Sequence, residues 1–309
     1  MRTFSRAFFT LFLLVFALGL ARAEDQYFDS NGVKIRYTVE GKGEPVILVH
    51  GFTSNIEAGW GNLIKPLAAD YQVIAFDCRG HGKSDKPLDP AKYGKEMSED
   101  VVRLMDHLHI KKAHVVGYSM GAFISYNLLF AHPDRLLTLT LGAGGGISPP
   151  GSGDVSKALA DSLEKDKSME PLIRSLWPSD MPPPTPDQIK LINNLMIGKK
   201  TDMEIKAMVA VLRGGITTIT DLSGEALDAK LKAETTPILG MAGSSDPLRK
   251  NLQDLQARLK ELQGEKCHMT LILVEKGNHV DTPGKPEFLK GLQDFLKAHQ
   301  GLDKERAAK

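Results

Sequence analysis

Short apolar runs alternate along the chain with longer segments in which apolar residues recur every three or four positions. The short runs predict strands at residues 35–40, 45–49, 71–76, 113–116, 136–141, 237–242 and 270–274. The longer segments predict helices at residues 62–69, 98–108, 122–130, 226–232, 251–262 and 286–299. This alternation is typical of an α/β fold, in which helices flank a mostly parallel sheet on both faces.

One interval, residues 146–223, interrupts the alternation because it contains no convincing strand. It has three helical patterns instead, at residues 156–176, 185–196 and 202–212, separated by glycine and proline clusters such as WPSDMPPPTP. We interpret this interval as a helical cap inserted between two strands of one sheet. The core of the fold would then consist of two parts, residues 24–145 and residues 224–309.

The first 23 residues predict an export signal. Arg2 and Arg6 precede an apolar stretch at residues 7–20, and the small-x-small pattern ARA follows at residues 21–23. The apolar stretch is shorter than the roughly 20 residues that span a bilayer, so an uncleaved membrane anchor is the less favoured alternative. We therefore expect a signal peptide at residues 1–23 and an exported protein, periplasmic or secreted, without stable membrane association after cleavage.

Net charge, cysteine content and the lack of metal-binding motifs argue against a nucleic-acid partner, a disulfide framework and a bound metal. The net charge of +1 falls to −2 once the three arginines of the signal are removed, which gives no reason to expect nucleic acid as a partner. Cys78 and Cys267 are too few for a disulfide framework in a chain of this length, and we expect both to be free thiols. Neither a CxxC nor an HExxH motif is present, so no metal is implied.

The segment VVGYSMGA places a serine between two glycines, after an apolar run and before a helical pattern. A tight strand-to-helix turn has no room for side chains beside its apex, which explains Gly117 and Gly121. Such a turn presents the hydroxyl of Ser119 at the carboxyl end of the strand. It also places the backbone amide of Met120 at a helix N-terminus, where it can donate to an oxyanion. The pattern predicts a nucleophilic serine.

A serine hydroxyl is a weak nucleophile unless a base takes its proton and an acid orients the base. Two downstream loops supply these partners in the chain order nucleophile, acid, base. Asp246 lies in GSSDP after the predicted strand at residues 237–242, and His279 lies in GNH after the strand at residues 270–274. Because the carboxyl ends of parallel strands meet at one edge of a sheet, we expect Ser119, Asp246 and His279 to form a triad.

The segment ILVHGFTSN predicts a second oxyanion donor where the strand at residues 45–49 ends. The turn through His50 and Gly51 leaves the amide of Phe52 free to point at the site beside that of Met120. We interpret His50 as a hydrogen-bonding support for this loop rather than as a base. The glycine-rich segment FDCRGHGKSD matches neither of the common phosphate-binding motifs, and we interpret it as structural.

In their order and separations, the segments HGFTSN, DCRGHGKSD, GYSMGA, GSSDP and GNH resemble the α/β-hydrolase fold family. The resemblance covers residues 26–145 and 223–299. It implies an eight-stranded, mostly parallel sheet flanked by helices, with a nucleophile elbow at Ser119 and with Asp246 and His279 as acid and base. It also implies an inserted cap, which varies most within the family and sets the substrate.

The residues at the elbow distinguish branches of this family. Dehalogenases and epoxide hydrolases of this fold use an aspartate nucleophile, so Ser119 disfavours both. Carbon–carbon bond hydrolases that resemble the meta-cleavage enzymes carry Asn and Gly where this chain has Tyr118 and Ala122, which disfavours that branch. The segments HGF and GYSMG look more like the carboxylesterase and perhydrolase side.

We therefore expect an exported serine hydrolase that cleaves small to medium, apolar carboxylic esters through an acyl-enzyme. Perhydrolase, lactonase and carbon–carbon bond hydrolase activities use the same triad and are alternatives, as is a non-catalytic binding protein of the same fold. Trp60, Tyr118 and Trp177 are candidate substrate-binding residues. The expected partner is a small-molecule ester, and no dissociable cofactor is implied.

Overall fold

The computed structural model describes residues 24–148, 151–215 and 224–302, and eight strands within them form one sheet. The strands are β1 (Gln26–Asp29), β2 (Lys34–Glu40), β3 (Pro45–Val49), β4 (Gln72–Phe76), β5 (Ala113–Tyr118), β6 (Leu136–Gly142), β7 (Ile238–Gly243) and β8 (Met269–Val274). Their order across the sheet is β1-β2-β4-β3-β5-β6-β7-β8. Strand β2 pairs antiparallel with β1 and β4, and every other pairing is parallel. The predicted mostly parallel, eight-stranded α/β sheet is confirmed.

Helices cover both faces of the sheet. They are α1 (Ile56–Ala68), α2 (Lys95–His107), α3 (Met120–Ala131), α4 (Ser152–Asp166), α5 (Glu170–Ser175), α6 (Pro186–Ile197), α7 (Asp202–Arg213), α8 (Gly224–Ala233), α9 (Arg249–Gln263) and α10 (Pro286–Ala298). Successive side chains of a strand point to opposite faces, so β3 contributes Ile47 and Val49 to one apolar core and Val46 and Leu48 to the other. The first core includes residues of α2, α3 and α9, and the second includes residues of α1 and α10.

The interval predicted to be a cap holds helices α4 to α7, and its described residues contain no strand. Helix α4 packs against α7, and α5 contacts both α4 and α6. Helices α6 and α7 each begin with a capping box, in which Thr185 and Gln188, or Thr201 and Glu204, exchange side-chain and backbone hydrogen bonds. The start of each of these short helices is therefore fixed by hydrogen bonds within its own first turn.

Two predicted helices differ from the structure. The helix predicted at residues 156–176 is broken in two, because Lys167 adopts a left-handed conformation with φ of 49° and ends α4. Helix α1 begins at Ile56, six residues before its predicted start, because the side chain of Asn55 accepts a hydrogen bond from the amide of Ala58 and caps the helix. Glycines in the first turns of α1 had concealed this start in the sequence pattern.

Strand β1 was missing from the seven strands predicted by pattern. It has four residues and lies at the edge of the sheet, where Phe28 is its one buried side chain. So short a strand with a single apolar anchor gives no alternation that could be recognised in the sequence.

The predicted signal peptide at residues 1–23 lies outside the described residues. Among the helices that the structure describes, none combines the length and the apolar character that crossing a membrane requires.

Candidate active site

The turn between β5 and α3 carries Ser119 in a conformation that most residues avoid. Its φ is 54° and its ψ is −118°, so the backbone is strained at the residue whose side chain projects from the turn. Both flanking glycines are required by space. A Cβ at Gly117 would lie 2.2 Å from the carbonyl oxygen of Gly121, and a Cβ at Gly121 would lie 1.9 Å from that of Val49. The local sequence therefore forms the predicted sharp elbow.

Three side chains from separate loops meet at this elbow through hydrogen bonds. Ser119 follows β5, Asp246 follows β7 and His279 follows β8, and these parallel strands end at the same edge of the sheet. The Nε2 atom of His279 lies 2.9 Å from Oγ of Ser119, and its Nδ1 atom lies 2.9 Å from Oδ2 of Asp246. A carboxylate can only accept a hydrogen bond, so its partner Nδ1 is the donor and carries the ring proton. The other ring nitrogen, Nε2, then accepts from the serine hydroxyl. The structure thus brings the three predicted residues together.

The acid and base loops are fixed against each other. Asp246 is fully buried, and its second carboxylate oxygen accepts from the amide of Leu248 at 2.8 Å. The amide of Ser245 donates to the carbonyl oxygen of Gly277 at 2.9 Å. A Cβ at Gly243 would lie 2.2 Å from that same oxygen, so the two loops approach closely only because this residue is glycine. The separation between acid and base is consequently set by backbone contacts.

Tyr118 supports the base from the strand side. Its hydroxyl donates to the carbonyl oxygen of His279 at 2.8 Å, and the two rings lie 5.7 Å apart. Burial, and the nearby carboxylate of Asp246, raise the pKa of Tyr118 well above its usual value. The hydroxyl therefore stays protonated and remains a donor. Tyr118, a candidate substrate-binding residue in the sequence, borders a cavity in the structure, but no sequence pattern indicates its contact with a residue so distant in the chain.

The loop after β3 lies against the elbow, as the sequence predicted. A Cβ on Gly51 would be 3.3 Å from Cβ of Ser119, so this glycine permits the close approach. Among the backbone hydrogen bonds of the described loops and turns, none is donated by the amides of Phe52 or Met120. Both amides belong to residues that border the serine, one in the loop and one in the first position of α3. They are candidates for stabilising an oxyanion.

His50 holds this loop rather than acting as a base. Its Nδ1 bonds the carbonyl oxygen of Gly51 at 2.8 Å, and its Nε2 accepts from the amide of Cys78 at 3.0 Å. Burial lowers the pKa of His50, and burial together with the neighbouring His50 ring lowers the pKa of His81 to about 3. Both rings are therefore neutral and serve as packing and hydrogen-bonding groups.

The segment FDCRGHGKSD has the structural role predicted for it. Asp77 is fully buried and accepts from the amides of Ile56 and Lys83 and from the guanidinium of Arg36, which ties the loop to α1 and β2. Both cysteines are free thiols, with Cys78 buried. In the part of the chain that the structure describes, no group of three or more His, Cys, Asp or Glu side chains could hold a metal ion.

A cavity of about 1140 Å³ opens above Ser119 and His279, between the sheet edge and helices α5 and α6. Its wall is mainly apolar and includes Phe52, Leu172, Leu176, Trp177, Ile192 and Met196. Trp177 is half-buried and its indole donates to the carbonyl oxygen of Pro182 at 2.7 Å. Trp60 also borders the cavity, but its side chain is 1% exposed and packs mainly in the core beneath α1.

Comparisons with known proteins agree with this architecture. The profile of the alpha/beta hydrolase fold family matches residues 44–160. The chain is 34% identical over 162 residues to the dihydrolipoyllysine-residue acetyltransferase component of the acetoin cleaving system of Cupriavidus necator, covering 51% of this chain and 41% of that protein. It is 35% identical over 133 residues to 2-hydroxy-6-oxo-6-(2'-aminophenyl)hexa-2,4-dienoic acid hydrolase of Metapseudomonas resinovorans, covering 40% of this chain and 43% of that protein.

The chain thus spans less than half of the length of these curated relatives. Among solved structures, the enol-lactonase from Burkholderia xenovorans superimposes with a TM-score of 0.66 at 19% identity, over 88% of this chain and 100% of the other. At that identity the similarity concerns the fold. Taken with the sheet order and the strand-to-helix turn at Ser119, these matches place the chain in the α/β-hydrolase fold family.

Proposed function

We propose that this protein is a serine hydrolase that cleaves neutral, largely apolar carboxylic esters through an acyl-enzyme. The observation that carries the proposal is the continuous hydrogen-bonded series from Ser119 through His279 to Asp246, with 2.9 Å at each step. Each member has the partner that its role requires, since the serine hydroxyl faces a neutral ring nitrogen and the opposite ring nitrogen faces a carboxylate.

In the first half of the reaction, Oγ of Ser119 attacks the ester carbonyl while Nε2 of His279 takes the hydroxyl proton. The carbonyl oxygen becomes an oxyanion, to which the amides of Phe52 and Met120 donate hydrogen bonds. The tetrahedral intermediate then collapses, the bond to the alcohol oxygen breaks, and the proton on Nε2 passes to the departing alcohol. Asp246 stabilises the cationic ring that forms between these two transfers.

In the second half, a water molecule attacks the acyl-enzyme. His279 takes a proton from this water, a second oxyanion forms in the same place, and the proton returns to Oγ of Ser119 as the carboxylic acid leaves. The strained backbone at Ser119 keeps the oxygen at the apex of the turn throughout the cycle.

The character of the cavity supports a neutral ester. Charged side chains border it, but each has a partner within the protein: Glu57 pairs with Arg36, and Asp281 lies 3.8 Å from Lys285. The remaining wall is mainly apolar, so an apolar acyl or alcohol group gains contact area there, whereas a charged substrate would find no unpaired countercharge among these groups.

The test is covalent labelling combined with turnover. Mature protein is treated with a fluorophosphonate, the adduct is located by mass spectrometry, and hydrolysis of p-nitrophenyl butyrate is compared with that of Ser119→Ala. We expect an adduct on Ser119 and loss of turnover in the variant. Ser125→Ala is the matched control, because Ser125 is a buried serine six residues further along α3 and outside the triad. Absence of labelling together with absence of turnover would refute the proposal in favour of a non-catalytic binding protein.

The same assay separates the alternatives that share the triad. A lactone, an ester with added peroxide and a vinylogous 1,5-diketone are offered beside the p-nitrophenyl esters. The relative from Metapseudomonas resinovorans carries the name of a dienoic acid hydrolase, and the structural neighbour that of an enol-lactonase. Preference for the lactone or the diketone over every simple ester would move the assignment to that activity.

Export is part of the proposal and rests on the sequence of residues 1–23. The full chain is produced in a bacterial host, and the mature N-terminus is sequenced from the periplasmic fraction. Cleavage after Ala23 is the expected result. Recovery of the intact chain in the cytoplasm or membrane would contradict export.

A further inference from the structure

The apolar wall of the cavity continues outward onto the surface. Eight large apolar side chains are exposed among the described residues, and three of them line this cavity: Met181 at 50% exposure, Leu195 at 77% and Val280 at 86%. Exposed apolar residues scattered singly over a surface are ordinary. Three that line one cavity give it a partly exposed apolar border, and we term these three residues the apolar rim.

Helix α6 shows how the rim connects with the interior. Ile192, Leu195 and Met196 are spaced as i, i+3 and i+4, so they share one face of the helix and all three border the cavity. Ile192 and Met196 are half-buried, whereas Leu195 is largely exposed. A single apolar stripe therefore runs from the inside of the cavity to its outer edge.

The apolar rim also includes the residue next to the base of the triad. Val280 follows His279 directly and is the most exposed large apolar side chain among the described residues. Its backbone is held in a turn in which its amide donates to the side chain of Asn278 at 2.8 Å. The exposure of Val280 is thus a consequence of the turn that presents His279, and Val280, His279 and Ser119 all border the same cavity.

The size of the cavity also exceeds the needs of a small ester. Pockets for drug-sized ligands occupy about 300–1,000 Å³, and this cavity measures about 1140 Å³. A short acyl ester placed at Ser119 would leave most of the apolar wall in contact with water. The volume and the outward stripe both indicate a longer apolar substrate than the small to medium esters expected from the sequence.

We propose that the substrate is a neutral ester with one long unbranched apolar chain, which runs from Ser119 along α6 and leaves the cavity across Leu195 and the apolar rim. This inference rests on the proposed esterase function and specifies its substrate class. Leu195, Met181 and Val280 are then the residues that determine chain-length specificity, since they contact the part of the chain that a short ester lacks.

The experiment compares kcat/KM for p-nitrophenyl decanoate and p-nitrophenyl butyrate, below the concentrations at which either aggregates, in Leu195→Ser and Leu191→Ser. Leu191 is the matched control because it lies one turn earlier on α6, is 60% exposed and does not line the cavity. Both variants carry the same change in helix propensity. Decyl acetate and butyl acetate repeat the comparison with the long chain on the alcohol.

We expect Leu195→Ser to lower the decanoate-to-butyrate ratio, or the corresponding acetate ratio, by about tenfold, the effect of losing one well-packed leucine contact. Leu191→Ser should leave both ratios unchanged, and Val280→Ser should act in the same direction as Leu195→Ser. Unchanged ratios in Leu195→Ser would overturn the inference while leaving the esterase function intact.

Two further outcomes are distinguishable. Equal losses in Leu195→Ser and Leu191→Ser would overturn the inference in favour of a surface that adheres to substrate aggregates. If the unaltered protein hydrolyses neither butyrate nor decanoate, the proposed function itself fails, and the inference fails with it.

Discussion

Removal of one hydroxyl group tests whether Tyr118 positions the base. In Tyr118→Phe the ring keeps its contacts with His279 and with Phe288, 5.9 Å away, so the cavity and the core are preserved. What disappears is the donor to the carbonyl oxygen of His279, at 2.8 Å in the buried interior. The perturbation is therefore confined to hydrogen bonds between the nucleophile strand and the base loop, since the hydroxyl also interacts with the side chain of Thr282.

The magnitude follows from the burial of that bond. A buried acceptor that loses its partner costs about 1–3 kcal/mol, and each 1.4 kcal/mol corresponds to a factor of ten. We expect the free energy of unfolding to fall by about 1–2 kcal/mol. Because the base loop then holds the imidazole less firmly toward Ser119, kcat for p-nitrophenyl butyrate should fall by about threefold to tenfold, with KM nearly unchanged.

Tyr126→Phe is the matched control. Tyr126 is equally a buried tyrosine, 6% exposed, but its hydroxyl has no hydrogen-bond partner among the described residues. Urea unfolding and steady-state kinetics of both variants are measured together, with the pH dependence of kcat/KM as a third readout, because a misplaced base alters that profile and a purely structural loss does not. If Tyr118→Phe behaves like Tyr126→Phe in all three measurements, the positioning role is wrong.

Three further predictions concern the elbow, the acid and acid sensitivity. Gly121→Ala should abolish folding or lower the urea midpoint severely, since its Cβ would lie 1.9 Å from the carbonyl oxygen of Val49, whereas Gly61→Ala, whose Cβ meets nothing within 4 Å, should leave the midpoint unchanged or raised. Asp246→Asn should retain the fold but lower kcat by about 10⁴-fold in ester hydrolysis, because the amide favours the wrong ring tautomer; a loss below tenfold would contradict the assigned acid. The folded pKa of His81, about 3, lies below the ordinary value of 6.5, so the unfolded chain binds more protons between these values. The stability that this neutral ring contributes is therefore complete above about pH 6.5 and is lost as pH falls toward 3, by about 2 kcal/mol between pH 7 and 5. In His81→Asn this part of the slope should disappear from unfolding measured across that range, and an unaltered slope would show that another group causes it.

The site could be predicted from the sequence because its signals are local. Gly117 and Gly121 mark a turn that needs their missing side chains, and the loops after β7 and β8 each carry one residue with the required chemistry. Parallel pairing then places all of these loops at one edge of the sheet. The chain order of nucleophile, acid and base was thus encoded in short segments, whereas the order of the strands across the sheet comes from the structure alone.

Features that depend on packing between distant segments were not predictable. The hydrogen bond from Tyr118 to His279 joins residues 161 positions apart, and no sequence pattern around either residue indicates it. The break at Lys167 interrupts a periodicity that otherwise continues into α5, because the residue takes a left-handed conformation that a lysine adopts only in its tertiary context. The exposure of Leu195 likewise arises from the position of α6 at the cavity mouth, since its spacing alone indicates a buried face.

The order in which the site's parts occur along the chain has a consequence for its formation. The hydrogen bond between Ser119 and His279 joins residues 160 positions apart, and helices α4 to α7 and the last two strands lie between them in the chain. Because synthesis proceeds from the N-terminus, Ser119 is made before His279, and a partly synthesised chain has the nucleophile without its base. The serine gains its base when β8, an edge strand paired only with β7 in the sheet, has docked. Turnover therefore requires that the whole sheet has formed. Local separation of β8 from β7 would abolish catalysis even though the side chains of Ser119, Asp246 and His279 were unchanged.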